Sequence, residues 1–195
     1  MKPRNCLFLL LALLAVAACA GSGTVPPAQR SVADDDNDVV SPDDDDDAAV
    51  WTDPSTGHMW QADAPATAYY PPDAKNYCAG LTLAGFHDWR LPDIDALRSL
   101  IRGCPDTATG GSCGVTDQCL NQSCENDACS ADNCPAGGPG PFGCFWPQIG
   151  GRCPDLYWSS SAVTGSADLV WGVDFSYGSV YGGYVVDATN VRCVR

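Results

Sequence analysis

Eight of the chain's twelve cysteines lie between residues 103 and 154, and that segment constrains everything around it. From Gly103 to Pro154 the chain is Gly, Pro, Asn, Asp and Ser with few aliphatic side chains, and Cys119, Cys124, Cys129 and Cys134 recur every five residues. Such a stretch cannot bury a core of its own, so covalent cross-links must hold it. Twelve cysteines in 195 residues belong to an oxidising compartment, and the chain reads as exported. Zinc is the rival for the five-residue repeat. Structural zinc sites favour shorter gaps and reducing compartments, so disulfides are expected and no metal is assigned.

The N-terminus carries the address. Lys2 and Arg4 precede an uncharged apolar run from Cys6 to Ala18, too short to span a bilayer. Val16-Ala17-Ala18-Cys19 is similar to the bacterial lipobox. Residues 1–18 are therefore expected to be a lipoprotein signal peptide and Cys19 the acylated residue, holding the chain on a membrane by its lipid. By resemblance to enterobacterial lipoprotein sorting, Ala20 rather than Asp after the cysteine favours the outer membrane or cell surface. Residues 19–49 then read as an extended acidic tether, with nine aspartates from Asp34 to Asp47 and no aromatic residue. The tether lacks the spacing and the glycine of an EF-hand, so calcium stays a candidate and no cofactor is assigned. With Cys6 removed and Cys19 acylated, ten cysteines remain, an even number that fits five disulfides.

The formal net charge is −14, and residues 50–195 carry 15 acidic and 7 basic side chains. Nucleic acid needs a basic face, so it is excluded as a partner. All six tryptophans and all seven tyrosines lie in this part, which is the folded domain. Val50 to Asp53 and His58 to Gln61 read as a hairpin around Pro54-Ser55-Thr56-Gly57. Asp73 to Leu83 reads as a helix with Ala74, Tyr77, Cys78 and Leu81 on one face. A second helix is capped by Asp93, carries Ile94, Leu97, Leu100 and Ile101 as its apolar stripe, and ends at Gly103. Tyr157 to Ser160 is a strand. Leu169, Trp171, Val173 and Phe175 alternate with Val170, Gly172 and Asp174, the period of a half-buried strand. Ser176-Tyr177-Gly178 turns the chain back along Ser179 to Val186, and Val191 to Arg195 closes the domain.

Several of these blocks resemble a known family. Tyr77-Cys78, Leu81-Thr82-Leu83-Ala84-Gly85 and Asp88-Trp89-Arg90-Leu91-Pro92 are similar to the signature of the DUF1566 family, the domain at the C-terminus of the Legionella collagen-like adhesin. Tyr157-Trp158-Ser159-Ser160-Ser161, Trp171-Gly172-Val173-Asp174-Phe175 and Val191-Arg192-Cys193-Val194-Arg195 match its later blocks in order, and Thr56 to Gln61 its opening hairpin. The resemblance implies an α+β, C-type-lectin-like domain: two helices on a twisted, mainly antiparallel sheet, here with residues 103–154 as a disulfide-rich insert. It also implies a disulfide between Cys78 and Cys193. Capping differs from the family at the second helix, where Asp93 and Ala96 leave half of a capping box. For the insert, Cys104 with Cys153 is the pair expected to bracket it; partners for Cys113, Cys119, Cys124, Cys129, Cys134 and Cys144 are left open.

Catalysis has thin support. Ser159, Ser160 and Ser161 lack a nucleophile-elbow spacing, and His58 and His87 are the only imidazoles. His87 beside Asp88 suggests a dyad on paper, but a turn histidine more often packs or faces solvent. The formylglycine-generating enzymes of this fold group use a cysteine pair near their C-terminus, where only Cys193 lies here. No catalytic residue is assigned. Trp60, Trp89, Trp158 and Trp171 are expected in the core, while Trp146, Tyr177, Tyr181 and Tyr184 sit in glycine-rich or loop settings and are the candidate ligand contacts. Arg90, Arg192 and Arg195 are expected to pair with aspartates rather than bind sulfated glycans. Asp187 and Asn190 offer oxygens near the last strand. The function expected is non-catalytic binding of a glycan or an envelope protein, as in adhesion; the alternative is a structural or oligomerising envelope protein, and an enzyme of the formylglycine-generating group comes third.

Overall fold

The computed structural model describes residues 49–147, 153 and 156–195; the expected leader, the Cys19 lipidation site and the aspartate run lie outside them. Among the described residues the architecture is α+β, with two antiparallel sheets, two short α-helices and five disulfides. Among the described residues no helix is long and apolar enough to cross a membrane.

Strands β1 (Val50–Thr52) and β2 (Met59–Gln61) form the opening hairpin, with Trp51 opposite Trp60. Its turn is organised by Asp53, whose carboxylate accepts from Ser55 N at 3.0 Å and from the hydroxyls of Ser55 and Thr56. Gly57 closes the turn at φ +74°, a conformation that an L side chain resists. Asp53 is fully buried, and Arg102 reaches it at 3.2 Å, tying the hairpin to the base of the insert. Burial raises this carboxyl's pKa, but the Ser55 and Thr56 hydrogen bonds and the Arg102 charge outweigh it and hold it below the ordinary value.

Helix α1 (Pro71–Ala79) starts earlier and ends sooner than the sequence predicts. Two prolines are tolerated in the first turn, where the missing N–H groups have no intrahelical acceptor. Gly80 caps the other end, so Leu81 falls in the following turn rather than on the helix face. Helix α2 (Ile94–Arg98) is capped as expected: Asp93 Oδ1 accepts from Ala96 N at 2.8 Å. It is shorter than its apolar stripe, because Leu100 and Ile101 bury themselves in the turn after Ser99.

Strands β3 (Leu156–Ala162), β4 (Leu169–Asp174) and β5 (Ser179–Tyr184) form a three-stranded antiparallel sheet with β4 at the centre. The sheet separates two apolar clusters. Leu156, Trp158 and Val170 pack with Ala74 and Cys78 of α1; Tyr157, Trp171, Val173 and Val180 pack with α2 and the insert. The expected half-buried β4 is therefore buried on both faces, since helix and insert cover one side each. Gly183 on β5 lets the Trp158 ring lie flat against the strand: a Cβ there would sit 2.6 Å from the ring. The C-terminal segment threads between β2 and Arg90, with Gln61 N donating to Cys193 O and Val194 exchanging both backbone bonds with Arg90.

The disulfides place Cys78 of α1 against Cys193 of the final segment, with Cα atoms 5.4 Å apart. The expected bracket, Cys104 with Cys153, does not form. Cys104 bonds Cys134, Cys113 bonds Cys129, Cys119 bonds Cys124, and Cys153 takes Cys144. A bracket presumes one continuous loop, but the chain returns to the core inside it. Phe145 N donates to Phe175 O at 2.8 Å and Arg102 N to Phe145 O at 2.7 Å, which divides the insert into a nested lobe and a short second loop. Nor is the insert without a core contribution: Val115, Phe145 and Trp146 are all buried. Arg98, fully buried, holds the lobe to α2 by donating to the carbonyls of Thr107 (2.8 Å), Ala108 (2.8 Å) and Val115.

Candidate functional site

An open cleft of about 560 Å³ lies where the insert meets the β4–β5 hairpin. One wall is built from consecutive 3-10 turns, Gln122–Cys124, Asp127–Cys129 and Ala131–Asn133. Asn126 Oδ1 caps the second by accepting from Ala128 N at 3.1 Å, and Ser130 Oγ caps the third. Cys119–Cys124 and Cys113–Cys129 fix this wall covalently. It presents Glu125, Asp127 and Ser130 to the cleft.

The other wall is the hairpin, which presents Asp174, Tyr177, Ser179 and Tyr181. Asp174, only 6% exposed, folds the turn: its Oδ1 accepts from Ser176 N at 2.8 Å, Ser176 Oγ at 2.5 Å and Tyr177 N at 3.3 Å. Gly178 follows at φ +74°, where a Cβ would lie 2.9 Å from the Phe145 ring and 3.2 Å from Cys134 Sγ. That close approach seats the hairpin turn on the insert and leaves Tyr177 63% exposed at the rim. With both walls cross-linked or tightly seated, the cleft is preformed, and a ligand need not order loops to enter it.

Of the four aromatic candidates, the structure brings Tyr177 and Tyr181 together in the cleft. Tyr184 is exposed but does not line it. Trp146 is a correction: although its flanks are loop-like, it is fully buried, with ring centroids 5.3 Å from Tyr157 and 5.1 Å from Phe175. The Arg192 guanidinium lies 4.4 Å over its ring and donates to the carbonyls of Gln61 (2.7 Å) and Ala62. Arg192 is thus a buried cation on an aromatic face, with the charge of Asp63 also acting on it. Arg90 pairs with Asp93 and Arg195 with Asp88, as expected.

The remaining candidates are occupied structurally. Asp88 is held by Arg195 at 2.8 Å, whose hydrogen bond keeps its pKa below the ordinary value, while His87 Nδ1 lies 2.9 Å from Thr82 Oγ1. Ser159 Oγ donates to Trp171 O, and Ser161 Oγ donates to Asp117 while accepting from Ile94 N. Asn190 donates to Leu156 O at 3.0 Å. Among the described residues, no group of three or more His, Cys, Asp or Glu side chains is placed to hold a metal ion.

Glu125, Asp127 and Asp174 escaped the sequence reading. The signal was there in part: Asn or Ser recurs at the entry to each 3-10 turn between the evenly spaced cysteines, which marks capped turns rather than formless loop.

A family model described as the Lcl C-terminal domain matches residues 49–195. The chain belongs to this family. No curated protein matches the chain. The Lcl C-terminal domain is adhesin-associated, which connects the chain with the cell surface. The match spans the whole domain, both walls of the cleft and the cysteine-rich insert included.

Proposed function

We propose that this Lcl-type protein is a non-catalytic binding module of the bacterial cell envelope, lipid-anchored at Cys19, whose C-type-lectin-like domain takes a glycan in the cleft between insert and hairpin. The observation that carries the reading is the cleft itself: a preformed concavity with two tyrosines and a set of hydrogen-bond acceptors from opposite walls. Aromatic faces suit the apolar faces of pyranose rings, and carboxylates and serine hydroxyls suit their hydroxyl groups. The non-catalytic reading is supported by the hydroxyls of Ser159 and Ser161 and the His87 ring being engaged within the fold. A structural or oligomerising role is the second reading, favoured by Phe142, which stands 89% exposed on the insert.

The test is a glycan-array screen of the oxidised full-length protein, with calcium and again with chelator, followed by Tyr177→Ala and Tyr184→Ala variants. Saturable binding weakened about tenfold by Tyr177→Ala, with Tyr184→Ala unchanged, is the expected result. Binding insensitive to Tyr177→Ala would move the ligand off the cleft. Silence on the whole array would leave the oligomerising reading in its place.

A further inference from the structure

A second concavity, of about 340 Å³, opens between α1, the segment around Arg90 and β3. Lys75 and Ala79 stand one turn apart on α1, Trp89 and Leu91 are both buried and give it an apolar floor, and Arg90 and Ser160 complete the lining. Its walls are pinned to one segment. Cys78, between Lys75 and Ala79, is bridged to Cys193, and Arg90 exchanges both backbone hydrogen bonds with Val194 at 2.9 Å. Ser160 N donates to Pro92 O at 2.7 Å, which ties β3 to the stretch that carries Arg90. A pocket held this way needs little reordering to receive a ligand.

The lining carries two cations and no acid, in a domain with 15 acidic and 7 basic side chains. Lys75 is the only lysine after Lys2. Most other cations of the domain are committed: Arg98 and Arg192 are buried, Arg102 holds Asp53, and Arg195 holds Asp88. Among the described residues, Lys75 is the exposed cation with no acid against it. Arg90 gives Nη1 to Asp93 at 3.2 Å, and its remaining N–H groups and the Ser160 hydroxyl meet no acceptor among the described residues. An ammonium, most of a guanidinium and a hydroxyl around an apolar floor are donors in want of an acceptor. Asp93 offsets part of the Arg90 charge, so the pocket carries about one net positive charge, which matches a monoanion better than a doubly charged phosphate. From these features we infer that the pocket binds a small amphiphilic carboxylate, its apolar body on Trp89, Leu91 and Ala79 and its oxygens toward Lys75 and Arg90. The site shares no lining residue with the insert–hairpin cleft and does not depend on the glycan reading.

The experiment titrates the full-length oxidised protein by heteronuclear NMR with 3-phenylpropionate, its neutral amide, phenyl phosphate, and the peptide Gly-Gly-Phe with a free C-terminus. Saturable shifts of the Trp89 indole N–H and of the Lys75 and Ala79 amides are expected with 3-phenylpropionate, weakening as salt rises. The amide and phenyl phosphate are expected to bind about tenfold more weakly. Lys75→Gln, at an exposed helix position, is expected to weaken the acid about tenfold with the circular dichroism unchanged, and Lys75→Arg to keep it within about threefold. Tyr177→Ala, in the other cleft, is expected to leave it unchanged. Binding of Gly-Gly-Phe as tight as the free acid would assign the carboxylate to peptide chain ends, and binding of 3-phenylpropionate alone would assign it to free organic acids. Equal affinity for acid and amide would overturn the role of the charge, and tighter binding of phenyl phosphate would overturn the preference for a monoanion. Full affinity in Lys75→Gln, shifts confined to residues elsewhere, or no saturable shift with 3-phenylpropionate would overturn the site itself.

Discussion

Replacing both Cys78 and Cys193 with alanine is expected to cost the domain about 4–5 kcal/mol. The bridge spans 115 residues of sequence, and in the chain-entropy treatment a loop of that size contributes about 4.8 kcal/mol. Other bridges lie inside it and shorten the free path: Cys104–Cys134 bypasses 30 residues and Cys144–Cys153 bypasses 9. Because the dependence is logarithmic, a free loop of roughly 76 residues still gives about 4.5 kcal/mol. Both cysteines are fully buried, so lost packing adds to the loss. Cys119–Cys124, spanning 5 residues, supplies the control at about 2 kcal/mol. The assay is urea unfolding of the oxidised protein followed by tryptophan fluorescence, a strong signal because Trp60, Trp158 and Trp171 are buried. A domain worth about 5–15 kcal/mol in total would become marginal without the long bridge and stay folded without the short one. If the two double variants lose the same stability, loop length is not what the bridges act through, and the reasoning is refuted.

Two further substitutions address buried charge. Arg98→Met removes the guanidinium donors from the carbonyls of Thr107, Ala108 and Val115, the Ala108 oxygen keeping Gly111 N, and is expected to destabilise by about 3–5 kcal/mol in the same urea assay. A change under about 1 kcal/mol would show that the insert lobe holds its place without α2. Asp117 sits among Asp93 and Asp95, and burial, followed by those two negative charges, raises its pKa. The folded form therefore binds its proton more tightly than the unfolded chain, so the contribution is present at low pH and is lost as pH rises through the folded value. Asp117→Asn should stabilise the protein at pH 7 by no more than about 1 kcal/mol, given solvent screening, and by nothing near pH 3. Stabilisation that persists unchanged at pH 3 would contradict the electrostatic cause.

The parts legible in the sequence were those fixed by short-range pattern. The alternation of Leu169, Trp171, Val173 and Phe175 located β4 to within a residue of each end, and Asp93 located the start of α2 through its cap. Tryptophans 60, 89, 158 and 171 are buried as composition suggests. What escaped depended on contacts distant in sequence. Trp146 looked exposed because it sits in a loop setting; it is buried against Tyr157 and Phe175, with Arg192, 46 positions on, lying over its ring. The pairing of Cys104 with Cys134 depended on the chain re-entering the core at Phe145, which no spacing rule encodes. The cleft's carboxylates come from two walls some 50 residues apart, Glu125 and Asp127 against Asp174, and only the folded chain sets them together.

The Cys78–Cys193 bridge also has a mechanical side. A load applied between the start of the domain at Ala49 and the cleft at Tyr181 would, in a chain without bridges, be able to draw out the whole intervening backbone, about 460 Å at full extension. With the bridge in place the covalent route is shorter: about 29 residues from Ala49 to Cys78, across the sulfurs, then about 12 back from Cys193 to Tyr181. That limits the slack to roughly 140 Å. Tension on a surface-held domain would thus come to bear on a sulfur–sulfur bond before it could unravel the insert, leaving the cleft's disulfide-bonded wall intact while the opening hairpin and α1 give way.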